Sequence, residues 1–174
     1  CMRASRQRLR TQISFIADEN LSALLNLEAN NEWGRQGGNG GGRIDADQAS
    51  FVIKRAHLDW TIPNTQVKTR MGIQGINMPT VTFGNPTLNA DVAGITVSSQ
   101  LTPELGLTVF WARPYDRESV NGTAAEQRDG LNSLDDMDVF GFTLPIKTDV
   151  VRMTPWGMFA FIGKDSDFYN EFPA

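Results

Sequence analysis

The segment FVIKRAHLDWTIPNTQVKTRMGIQG, Phe51 to Gly75, contains two alternating runs separated by three turn-forming residues. In the second run Val67, Thr69, Met71 and Ile73 alternate with Lys68, Arg70, Gly72 and Gln74. A period of two puts the first series on one face of a strand and the second on the other. The first run does the same, with Ala56, Leu58, Trp60 and Ile62 set against Arg55, His57, Asp59 and Thr61. Between them Pro63-Asn64-Thr65 supplies a fixed φ and a residue that tolerates a tight backbone. The segment therefore predicts a hairpin with one apolar and one charged face.

The same pattern extends in both directions. Arg6, Arg8, Arg10, Gln12 and Ser14 alternate with Gln7, Leu9, Thr11, Ile13, Phe15 and Ala17. After the turn Asp18-Glu19-Asn20, Leu21, Ala23, Leu25, Leu27 and Ala29 line one face opposite Ser22, Asn26, Glu28 and Asn30. Strict alternation outweighs the helix propensity of the leucines and alanines. A third hairpin carries Ile95, Val97, Ser99 and Leu101, turns at Thr102-Pro103-Glu104, and returns through Leu105, Leu107, Val109 and Trp111. A fourth carries Phe140, Phe142 and Leu144, turns near Lys147-Thr148-Asp149, and returns through Val151, Met153, Phe159 and Phe161. Between the hairpins lie a glycine-rich stretch from Gly34 to Asp47, a proline-containing stretch from Asn77 to Ala93, and an acidic one from Pro114 to Asp138. None of the three is expected to form regular structure.

Connections thus alternate short and long, and the strands approach the 9 to 11 residues with which a tilted strand crosses hydrocarbon. A transmembrane β-barrel has this asymmetry, with tight periplasmic turns and long external loops. Trp33, Trp60 and Trp111 fall at the expected strand ends, where an interfacial aromatic girdle sits. The alternative is a soluble or surface-exposed β-sandwich binding module, in which the apolar faces meet each other. The two differ in what the polar face borders. Its charges are mainly cationic, Arg6, Arg8, Arg10, Arg55, Lys68, Arg70 and Arg152, against Glu28 and Asp59, and this suits the wall of a water-filled lumen that attracts anions, or one that faces acidic groups across the pore to set up a transverse field.

Composition narrows the classes further. The chain has 174 residues, enough for a single domain, and a formal net charge of −4, which argues against nucleic acid held by electrostatics. No run of roughly 18 apolar residues marks a membrane helix, and CMRASRQRLR lacks the apolar centre of a secretory signal. A single cysteine, Cys1, allows no internal disulfide and no cysteine metal site. His57 and Asp59 share a strand face, but one histidine assembles no catalytic or metal constellation, so they are read as a hydrogen-bonded pair on the polar face. Asp135, Asp136 and Asp138 lack the spacing of an EF-hand, and Gly37 to Gly42 are not followed by the Gly-Lys-Ser/Thr of a phosphate loop. No catalytic residue, metal or cofactor is expected.

The stretches RLRTQISFIADENLSALLNLEA, RAHLDWTIPNTQVKTRMGIQ and VFGFTLPIKTDVVRMTPWGMFAFIGKDS resemble the outer-membrane homotrimeric porins of sulfate-reducing bacteria, within the general porins. The resemblance implies an all-β, antiparallel transmembrane barrel of about sixteen strands. About eight of them are expected here, in one porin domain spanning residues 1–174 and incomplete at both ends. It further implies a homotrimer in the bacterial outer membrane, in contact with lipid, that passes small hydrophilic solutes and ions by diffusion. On that alignment the Asn77 to Ala93 connection is the third external loop, which folds inward and narrows the channel, and it would bring Asn85, Thr87, Asn89 and Asp91 to the constriction. The pore-lining residues would be Arg6, Arg8, Arg10, Arg55, His57, Asp59, Lys68 and Arg70. The outward residues between Leu21 and Ala29 would suit a subunit contact or lipid equally.

Overall fold

The structure, a computed structural model, describes residues 5–34, 40–41, 51–80, 87–115 and 136–163. Its elements are β1 (Arg6–Ile16), β2 (Leu21–Trp33), β3 (Gly40–Gly41), β4 (Val52–Thr61), β5 (Val67–Asn77), β6 (Asn89–Gln100), β7 (Gly106–Tyr115), β8 (Met137–Thr143), β9 (Ile146–Lys147), β10 (Arg152–Met153) and β11 (Trp156–Ile162). Eight of these strands form one antiparallel sheet in the order β1-β2-β4-β5-β6-β7-β8-β11. Each long strand pairs with its sequence neighbour, as a meander requires, and β1 and β11 are the two edges of the path.

The short turns all lie along one end of the sheet and share a device. The Asp18 carboxylate accepts bonds from the amides of Asn20 (2.6 Å) and Leu21 (2.8 Å). The Thr102 hydroxyl accepts from the amides of Glu104 (3.3 Å) and Leu105 (3.1 Å). Thr148 repeats the arrangement with Val151 at 3.0 Å. A side-chain oxygen that satisfies turn amides substitutes for the ladder bonds lost where the chain reverses. In the turn after β4, Asn64 takes a φ of 60°, the left-handed conformation that asparagine tolerates best after glycine.

Alternation survives across the sheet and separates its faces. On one face the register aligns Leu9 with Ala29, Leu58 with Met71, Met71 with Ile95, Ile95 with Trp111, Trp111 with Phe140, and Phe140 with Phe159. No second sheet covers this face among the described residues: Leu9, Phe15, Trp60, Met71, Ile95, Val109, Phe142, Phe159 and Phe161 are all exposed. Phe140 stacks on Phe159 with centroids 5.5 Å apart, and Phe161 meets both rings edge-on. The buried apolar cluster lies on the opposite, polar face. There Ile76, Val92, Phe110, Ala112 and Val139 pack with Met78, and Leu88, Met137, Trp156 and Met158 close around them.

Four expectations need correction. The connection after β5 is shorter than the expected span of Asn77 to Ala93, because β6 pairs with β5 from Asn77↔Asn89 onward. Ladder pairing with a strand already in place overrides the turn propensity of Asn89 and Asp91. The fourth hairpin is interrupted by Pro145 and Pro155, which delimit the small two-stranded sheet of β9 and β10 outside the main ladder. Trp111 lies within β7 rather than at a strand end, and Pro114 is accommodated where the β7-β8 register shifts between Ala112 and Tyr115. Within the glycine-rich stretch, Gly40–Gly41 pair in parallel with Glu32 and Trp33.

Candidate functional site

The polar face is built from cross-strand rows. One row runs through Thr61, Lys68, Ser98, Thr108, Thr143 and Trp156, on successive strands from β4 to β11. The next runs through Ser22, Asp59, Arg70, Thr96, Phe110 and Gly141. A third contains His57, Gly72, Gly94, Ala112 and Val139. The first two rows border an open cavity of about 560 Å³, whose far wall includes Gln74, Ile76, Asn77 and Met78. A second cavity of about 500 Å³ continues toward the short turns and shares Thr61, Lys68, Ser98 and Thr108 with the first.

The charged residues are mostly paired. Arg70 donates to both carboxylate oxygens of Asp59, at 2.6 and 2.8 Å. His57 is buried, with Nδ1 3.3 Å from the Ile73 carbonyl oxygen and Nε2 3.9 Å from Asp59. The expected His57–Asp59 hydrogen bond is therefore replaced by the Asp59–Arg70 fork, whose planar geometry a carboxylate matches better. Gln74, almost fully buried, donates to the Gly94 carbonyl oxygen at 2.9 Å and accepts from the Thr96 hydroxyl at 3.0 Å.

Arg6, Arg8 and Arg10 form a ladder on β1, away from the cavity. Arg8 Nε donates to Asn30 Oδ1 at 2.7 Å, Asn30 donates to Glu28, and Glu28 also accepts from Arg10. Arg6 lies 4.0 Å from Glu32. The cross-strand register brings these partners opposite one another, pairing Arg6 with Glu32, Arg8 with Asn30 and Arg10 with Glu28.

Arg55 does not join the polar face. A bulge at the β2-β4 register leaves Arg55 opposite Asn26 and Ile53 opposite Leu27. The Arg55 guanidinium meets Asp91 at 2.7 Å, beside Gly75. The unbroken β5-β6 register carries Gly75 and Asp91 to the face of Ile73, Ala93 and Ile95. Asn89 shares the side of Asp91 by the same alternation and Thr87 sits in the bend just before β6, so Asn89 and Asp91 turn away from the polar face and neither lines its cavities, contrary to the expected constriction. Asn85 and Asp135 lie outside the described residues. Asp136 and Asp138, read as part of an acidic loop, are instead salt-bridged to Arg113 at 3.1 and 3.0 Å. Arg113 also stands over the Trp111 ring, whose indole donates to Asp138 at 2.9 Å.

Sequence reasoning missed the hydroxyl row of Ser98, Thr108 and Thr143, although their alternation with Val97, Val109 and Phe142 marks their face. It also missed Met78 and Leu88. These flank the β5-β6 connection and turn onto the polar face, joined by a bond from the Met78 amide to the Leu88 carbonyl oxygen at 3.0 Å. Comparison with known protein families and with curated proteins finds no match to this chain.

Proposed function

We propose that this sheet is part of the wall of an outer-membrane porin barrel, a water-filled channel through which small hydrophilic solutes and ions diffuse. One observation carries the reading: a single sheet leaves its apolar face uncovered among the described residues, while its polar face borders the cavities. In water such an apolar face is an aggregation liability, whereas in a bilayer it is the lipid contact that a barrel wall needs. Short turns at one end and longer connections at the other agree with a periplasmic and an external rim. A sandwich would need a second layer over Met71, Ile95 and Val109, and the other sheet among the described residues is only the β9-β10 pair.

The lumen of this reading leans toward anions less than the sequence suggested. Arg6, Arg8, Arg10, Lys68 and Arg70 remain on the polar face, but Glu32, Glu28 and Asp59 neutralise much of their charge. Met78 and Leu88 would make the β5-β6 side of the passage apolar. Homotrimeric assembly and a total of about sixteen strands complete the proposal. The test is single-channel recording of the full-length protein in a planar bilayer, with the reversal potential read across a salt gradient. Stepwise openings in groups of three with weak anion preference are expected. A water-soluble protein that opens no channels would overturn the reading.

A further inference from the structure

Lys68 stands where the two cavities on the polar face meet, and both are lined by Thr61, Lys68, Ser98 and Thr108. The β4-β5, β5-β6 and β6-β7 registers place these four side chains in one row on adjacent strands. Directly opposed residues in such a row have their Cβ atoms about 5 Å apart. Among the described residues no carboxylate forms an ion pair with Lys68, since Asp59, the acid of the neighbouring row, is held by both bonds from Arg70. Among the described residues the row therefore presents an ammonium group with no ion-pair partner, with Thr61 and Ser98 directly beside it and Thr108 beyond Ser98, on a surface open to solvent.

We propose that this row is a subsite for small oxyanions, carboxylate or phosphate. The assignment rests on the polar face being the lumen wall. The ammonium supplies three donors and each hydroxyl one, so an anion with several oxygens can accept from Lys68, Ser98 and Thr108 together. Chloride shares the charge but not the spread of acceptor oxygens, and a neutral polyol gains no charge-assisted bond. The subsite would raise the local concentration of oxyanions near the short-turn end and slow their passage relative to chloride.

The test uses the full-length protein in detergent micelles. Acylation of individual lysines by an amine reagent is followed by peptide mass spectrometry, with and without sodium phosphate or sodium succinate, and with sodium chloride at matched ionic strength as the control. Slowing of acylation at Lys68 by the oxyanions, with no change at exposed Lys147, is the expected result. Equal rates at Lys68 in all three salts would overturn the subsite. In bilayers, either oxyanion should reduce the chloride current of wild-type channels, and Lys68→Gln should lose that reduction while still opening channels. An undiminished reduction in Lys68→Gln would also overturn the subsite. Protection of Lys68 in a protein that opens no channels would uphold the subsite and refute the porin.

Discussion

Asp59 and Arg70 show how the polar face balances its charge. Their fork is less than half exposed on both sides and joins directly opposed residues of β4 and β5. Asp59→Asn should lower stability by only about 0.5 kcal/mol, since partly exposed pairs contribute little, but it frees a guanidinium at the cavity. Reversal potentials should therefore shift toward anion selectivity, and an unchanged potential would remove Arg70 from the conducting path. Gly72 is a residue of the opposite kind, because its φ of 120° and the proximity of the Ala56 carbonyl and the His57 Cα leave no room for a side chain. Gly72→Ala should cost about 2 kcal/mol, read as a lower urea midpoint, and an unchanged midpoint would contradict this backbone geometry. At this scale the sequence was legible only in part. Lys68 and Arg70 followed from alternation alone. Arg55 did not, because the bulge that redirects it has no signature in VIKRAH, and its partner Asp91 lies 36 residues away in the chain.

The hairpins β1-β2 and β4-β5 follow from local sequence, since each alternates cleanly and each turn carries its own residue for satisfying or relaxing the backbone. The ends of β6, β8 and β11 do not. Asn89 and Asp91 read as loop residues until β5 pairs with them, and the prolines at 145 and 155 divide a hairpin whose apolar series alone looks continuous. Nonlocal pairing decided these boundaries, and nonlocal pairing leaves little trace in a window of sequence. The apolar face of β7 offers a test at the same scale. Val109 lies near the middle of the strand and is 42% exposed. If that face meets lipid, Val109→Arg should destabilise the protein by about 2 to 4 kcal/mol, measured by unfolding from bilayers or micelles. If it meets water, the same substitution should lie within about 0.5 kcal/mol of wild type.

On the proposed reading, one sheet of the molecule divides two solvents. Its apolar face has no protein layer over it among the described residues, and the apolar groups packed on its polar face form only a small cluster around Phe110 and Val139. Unpaired edges at β1 and β11 could not rest in hydrocarbon, because each free amide and carbonyl there would lack a partner, so the proposed barrel requires both edges to be paired in the assembled protein. The full-length protein should accordingly remain dispersed only while an amphiphile is present, and sedimentation after detergent removal checks this. Alternation announced the two faces from the sequence, but only the assembled sheet showed that the apolar one is uncovered among the described residues. The most direct measurement is accessibility along β6. In a Cys1→Ser background, Ile95→Cys, Thr96→Cys, Val97→Cys and Ser98→Cys are reacted one at a time with a membrane-impermeant maleimide on reconstituted protein. Thr96→Cys and Ser98→Cys should label while Ile95→Cys and Val97→Cys stay protected by lipid; uniform labelling, or the reverse pattern, would contradict the assignment of the two faces.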